Sequence, residues 1–178
     1  MQIRFIGPGD QLTEHNIQRL NVMQEIVFGQ VYVSPDTSND FWWIAFDDQG
    51  IAGFCCVTIY EHEDDTKTAF LSLAGVLHQS RGQGIQRKMV KKREKFAKDQ
   101  GCYRIISYTS RENVISANNL IKAGYLLYTP EYDWGIENAF YFQKMLDYEN
   151  KNTKTADTFT VREGTQVNIR SQTRLQQD

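Results

Sequence analysis

The residues Val76-Leu77-His78-Gln79-Ser80-Arg81-Gly82-Gln83-Gly84-Ile85-Gln86-Arg87 bring together the types best suited to holding an anion. An apolar run stops at Leu77, an arginine and two glycines follow, and an amphipathic helical pattern begins at Gly84. The first N–H groups of a helix have no internal partner, and the helix dipole favours negative charge there. Gly82 and Gly84 let a backbone approach a ligand with no Cβ in the way. Arg81 adds a charged donor. A pyrophosphate fits such a turn, since each charge-assisted hydrogen bond contributes roughly 1.5–3 kcal/mol net. A glycine turn with no ligand is the plain alternative, and Arg-Gly-x-Gly taken alone does not decide between the two.

The elements that must present this turn follow from periodicity. Over residues 84–100, Ile85, Met89 and Phe96 share one side with Val90 and Ala97, while Arg87, Lys88, Lys91, Lys92, Lys95 and Lys98 take the other. Gly101 ends that helix. Upstream, residues 2–6 predict a short strand, and residues 13–28 a helix with Ile17, Leu20, Met23 and Val27 in register. Residues 29–40 are loop. Strands 41–46 and 51–60 flank Asp47-Asp48-Gln49-Gly50, a hairpin signal. Residues 61–66 form an acidic turn before a strand over 69–77. Downstream come a strand over 103–108, a helix over 113–123 stopped by Gly124, and strands over 125–128 and 139–145. Antiparallel strands giving way to alternating strands and helices predict an α/β domain with a mixed sheet and helices on its faces.

Two separated segments resemble one family. Arg81-Gly82-Gln83-Gly84-Ile85-Gln86 resembles motif A of the GNAT N-acetyltransferase superfamily, (Gln/Arg)-x-x-Gly-x-(Gly/Ala). Asn113-x-x-Ser116-x-x-Asn119-Leu120-x-Lys122-x-Gly124-Tyr125 resembles its Asn-x-x-Ala-x-x-Leu-Tyr-x-Lys-x-Gly-Phe helix. The likeness is specific over 69–128 and follows element order over 1–147, which is assigned as one domain. It implies a mixed, mostly antiparallel central sheet in which two central parallel strands splay into a V. It implies acetyl-CoA as acyl donor, with no metal. The pyrophosphate would lie on Arg81, Gly82, Gln83, Gly84, Ile85 and Gln86, and the pantetheine arm would pair with backbone near Ala74 and Val76. A backbone N–H there would polarise the acetyl carbonyl. Asn113 would touch the pantetheine; its other role is to cap the helix that follows.

The departures bear on chemistry. Gln86 replaces a small residue, either crowding the phosphates or adding a donor. His78 and Ser80 replace a proline and an aromatic. Leu120 stands where the family has the tyrosine that protonates the departing thiolate, and Ser72 stands about where several members carry a basic glutamate. An amine with a pKa near 10.4 must lose a proton to attack, or be desolvated. Glu61, Asp64, Glu131, Asp133 and a water held by Ser72 are candidates for that proton, and Tyr108 is a candidate donor to the leaving group. Tyr108 equally suits plain packing in a strand. The mixture of Tyr128, Glu131, Tyr132, Asp133, Trp134 and Glu137 suits an ammonium-bearing acceptor or a surface loop.

Composition bounds the rest. The chain has 178 residues, 40% hydrophobic and 24% charged, with 10 Phe, 9 Tyr and 3 Trp, too aromatic for a disordered chain. A net charge of −2 argues against binding nucleic acid through global charge. Cys55, Cys56 and Cys102 form neither a disulfide framework nor a metal motif, and no secretory or membrane-spanning stretch is evident, so a cytoplasmic protein is expected. The polar segment 148–178 is expected to be mobile or to form a small hairpin from its alternating stretches 158–162 and 166–170. The expected activity is direct acetyl transfer to a primary amine of a small molecule or peptide, an aminoacyl-tRNA included. The competing expectations are a CoA-binding protein without turnover, and a phosphate- or RNA-binding module using the basic helix.

Overall fold

Each change of hydrophobic period from two to 3.6 marks a change of element. In order the chain runs β1 (Gln2–Ile6), α1 (Glu14–Phe28), β2 (Asp40–Asp47), β3 (Gly50–Glu61), β4 (Lys67–Val76), α2 (Ile85–Asp99), β5 (Arg104–Ser110), α3 (Val114–Lys122), β6 (Leu126–Tyr128) and β7 (Ala139–Met145). The computed structural model describes residues 1–6, 13–35 and 40–146. The expected hairpin within 148–178 lies outside the described residues.

The strands form one mixed sheet in the order β1-β2-β3-β4-β5-β7-β6. Its neighbours pair antiparallel except β4 and β5, the parallel pair joined through α2. This is the mixed, mostly antiparallel sheet expected. On one face α2 and α3 bury Met89, Val90 and Leu120 against Val57, Ile105 and Phe142. On the other, α1 packs Leu20 and Met23 against Trp42, Ile44 and Phe54. Thr13 caps α1 by accepting from the Asn16 N–H at 3.3 Å. Gln24, fully buried, donates to Val33 O and accepts from the Tyr32 and Val33 N–H groups, which pins the loop after α1. None of the described helices is long and apolar enough to cross a membrane.

Two local features prepare the site. Cys56 pairs with Leu73 and Thr58 with Phe70, so Val57 alone faces both Leu71 and Ser72. Such a bulge bends a strand and re-aims its backbone. The segment His78–Ser80, expected as plain turn, winds into one 3₁₀ turn. Its Ser80 hydroxyl donates to Asp47 Oδ2 at 2.7 Å across 33 residues of chain, a partnership no local pattern reveals. That bond is the main reason the Asp47 carboxyl is held below its usual range.

Close backbone approach explains one glycine. A Cβ on Gly53 would lie 2.5 Å from Gly75 O on the neighbouring strand. Gly53→Ala is therefore expected to cost about 2–3 kcal/mol, as overpacking does, and to lower Tm by at least ~5 °C in a thermal melt. An unchanged Tm would mean β3 and β4 separate more easily than their pairing implies.

Candidate active site

The β4–β5 ladder holds only from Thr68–Arg104 to Phe70–Ile106. Beyond it the bulge turns β4 away, and the last link is the Ser107 hydroxyl donating to Leu71 O at 3.1 Å. Ala74 and Val76 keep their β3 partners, Cys55 and Gly53, but have no β5 partner. A sheet that opens in its interior offers a strand edge to an amide-bearing ligand. This is the V expected between the two central parallel strands.

The glycine turn lies past the open end of β4. Gly82 and Gly84 adopt φ of 80° and 71°, and Gly84 caps α2 with no side-chain hydrogen bond. Nothing lies within 4 Å of where either Cβ would stand, so the space before the helix is free. Ile85 is buried at 2% exposure, which leaves only its backbone for a ligand. Gln83 is exposed. Arg81, also exposed, folds back so that its Nε donates to Val76 O at 3.3 Å. Gln86 turns toward α3: its Oε1 accepts from Asn119 Nδ2 at 2.6 Å and its Nε2 donates to Ser116 Oγ at 3.3 Å. Gln86, Ser116 and Asn119 thus form one polar link between two helices. Asn113 caps α3, its Oδ1 accepting from the Ser116 N–H at 3.1 Å.

An aromatic surface lies on the sheet face opposite α2. Phe70 and Tyr108 stack at 5.7 Å, and Trp134 meets both edge-on at 5.4 Å. Tyr60 stacks on Phe70, and Tyr141 lies 5.1 Å from Trp134. Trp134 Nε1 donates to the Tyr128 hydroxyl at 3.2 Å, and the Gly135 N–H to the Tyr141 hydroxyl at 3.2 Å. These bonds hold the loop after β6 against Tyr108. The sequence reading had singled out Tyr108, Tyr128 and Trp134 but had missed Tyr60, Phe70 and Tyr141. Alternation along β3, β4 and β7 places these three on one face; their meeting needs the strand order.

Burial, above all, raises the Tyr108 pKa, so its hydroxyl stays protonated at neutral pH. Burial also pushes Tyr60 up to about 12, with help from Asp40. Asp40, a carboxylate the sequence reading passed over, is 6% exposed and accepts from Thr58 Oγ1 at 2.5 Å. A raised tyrosine pKa stabilises the fold below the unfolded value near 10, and that stability is lost as pH climbs through the folded value. Tm is therefore expected to fall between about pH 10 and the Tyr60 value of about 12, in step with tyrosinate absorbance. A Tm that is flat across that window would show these hydroxyls to be hydrated.

The other candidates are placed as follows. Ser72 sits in the bulge with its hydroxyl buried beside the Cys56 thiol. Glu61 is paired with Lys67. Asp64 accepts from the Thr66 N–H and hydroxyl, which hold its pKa down. Both acids thus serve the β3–β4 turn. Glu131 and Asp133 are exposed, with Asp133 near the Tyr141 hydroxyl. Leu120 is 5% exposed and packs in the core. The three cysteines are buried, and burial raises Cys55 to about 11, so its thiol is no nucleophile at neutral pH. Among the described residues no group of His, Cys, Asp and Glu is arranged to hold a metal ion.

Known structures share this fold. The fold matches NAA60 of Arabidopsis thaliana, solved with a bisubstrate analogue, at a TM-score of 0.66 and 12% identity over 83% of this chain and 99% of that one. It matches Naa50 of the same plant, solved with a CoA-acetyl-peptide analogue, at 0.67 and 15% identity over 82% and 100%. The ribosomal-protein-S18-alanine N-acetyltransferase of Escherichia coli matches at 0.66 and 11% identity over 86% and 100%. Further matches include NAA60 with acetyl-CoA and the NatC complex with CoA and a Gag peptide. No curated protein sequence matches the chain. The sequence model of the acetyltransferase (GNAT) family matches residues 15–125, from α1 through the glycine turn to the end of the α3 motif, and the chain belongs to that family.

Proposed function

We propose that this protein transfers an acetyl group from acetyl-CoA directly to a primary amine, with a peptide or small-molecule acceptor. The observation that carries the reading is the edge of β4 that β5 leaves without a strand partner, running from the bulge at Ser72 to Val76 and leading to the Gly82–Gly84 turn. An acyl-pantetheine has the amides to pair with the edge and the diphosphate to meet the helix N-terminus.

The acetyl carbon would lie at the apex of the V, with the amine approaching over the aromatic face. The amine nitrogen attacks that carbon, the C–S bond breaks, and its electron pair leaves on sulfur. The amine gives up its proton to water. Backbone N–H groups near Ala74–Val76 hold the carbonyl oxygen as it gains charge. Phe70, Tyr108 and Trp134 desolvate an approaching ammonium, which lowers its pKa and favours the attacking free amine. Tyr108, protonated and two residues beyond the last β4–β5 pair, would give its proton to the departing sulfur and regain one from water.

One observation favours a second reading. Leu120 fills the core where the family has its tyrosine, which is consistent with a protein that binds CoA without turnover. Thiol release from acetyl-CoA separates the two, using N-terminal peptides, polyamines, aminoglycosides and aminoacyl-tRNA as acceptors. Release with any amine, matched by an acetylated product, supports transfer. Binding with no release from any class supports the second reading, and no binding overturns both.

A further inference from the structure

Four of the five side chains that α2 buries are apolar; the fifth is Arg93, at 3% exposure. Its Nη1 donates to Cys56 O at 3.0 Å and to Leu73 O at 3.3 Å. Its Nε is buried without a partner. Among the described residues the ion pairs involve other side chains: Glu94, its neighbour in the chain, is taken by Lys144 at 2.8 Å. A buried charge is costly unless it is paired or put to use.

The location of the cation is informative. Cys56 and Leu73 are the pair beside the bulge. A bulge breaks the ladder and leaves backbone groups that need other partners. Arg93 supplies them from across the helix–sheet interface, bridging β3 and β4 at the start of the V. Neutral amide donors would satisfy two carbonyls; the guanidinium adds a positive charge that none of the ion pairs among the described residues takes up. The titratable groups around it are Cys55 and Cys56 of β3 and Tyr125 beyond α3, with Glu94 on its own helix and Asp40 acting on Cys56 from β2.

We propose that Arg93 is a positioning residue of the transfer site: it fixes the bulge that parts β4 from β5, and its buried charge favours the thiolate form of the sulfur at the apex. The inference rests on the acetyl-CoA reading above. It gives the site a means of easing C–S cleavage that does not require a tyrosine at position 120. Sulfur departs with the electron pair of the broken bond, a nearby cation stabilises that charge, and a proton follows from Tyr108 or water.

The test needs no acceptor. The thiol of CoA bound to the full chain is titrated by its ultraviolet thiolate absorbance, with desulfo-CoA as the blank and free CoA in the same buffer as the reference. In the wild type the bound thiol is expected to titrate at least ~1 pH unit below free CoA, as for a thiol beside a cation. Arg93→Met is expected to bind CoA within about fivefold and to lose that shift, and Arg93→Lys to retain most of it. With an acceptor in hand, Arg93→Met should lower kcat tenfold or more with KM for acetyl-CoA little changed. A wild-type bound thiol no more acidic than free CoA overturns the proposal, as does a folded Arg93→Met that keeps the shift. If Arg93→Met does not fold, Arg93→Lys decides: loss of the shift with the charge still present overturns the proposal. Failure of the wild type to bind CoA removes the acetyl-CoA reading and this inference with it.

Discussion

Replacing Tyr108 by phenylalanine is expected to cut acetyl transfer about 100-fold or more, the usual range for loss of a general acid, while CoA affinity stays within about threefold. The ring is held by Phe70, Trp134 and Tyr141, so phenylalanine keeps the packing and removes only the hydroxyl. Burial keeps that hydroxyl protonated, which suits a donor and excludes a base at neutral pH. The reaction is expected to lose rate as pH rises past the raised Tyr108 value, and the Phe variant to lack that alkaline limb. Steady-state rates against pH check both points. A Phe variant with unchanged kcat and unchanged pH profile would leave Tyr108 as a packing residue and pass the proton to water.

Replacing Gly84 by valine is expected to weaken CoA binding at least tenfold, or roughly 1.4 kcal/mol. Two effects act together. The φ of 71° is strained for any side chain with a Cβ, costing about 1–2 kcal/mol. The Cβ would also enter the free space before α2, where the proposed CoA site puts the diphosphate. Calorimetry on a protein that circular dichroism shows to be folded measures the loss. Gly82→Ala serves as a comparison with a similar φ on the same turn. Unchanged affinity in a folded Gly84→Val protein would move the diphosphate elsewhere.

The glycine turn and the α3 helix were legible because both are local: a glycine that must take positive φ, and a capping asparagine followed by a helical repeat. The sequence puts Gln86 at the phosphates, either crowding them or donating to them. The fold turns it to Ser116 and Asn119, which lie 30 and 33 residues away in the chain. The acids of the β3–β4 turn looked available as bases because composition does not reveal that Lys67 and Thr66 occupy them. Arg93 is absent from the basic face that the helical period picks out, but only its angular position against the sheet shows that it is buried.

Alternation, helical period and two short motifs by themselves determined the order of elements, the mixed sheet and the place of the glycine turn, because each depends on residues within a few turns of one another. Tertiary structure alone decided where the β4–β5 ladder stops, which aromatic rings meet over the opening, and which buried charge stands behind the bulge. Those depend on strand register and on one bulge, and a shift of a single residue in pairing turns every side chain to the other face.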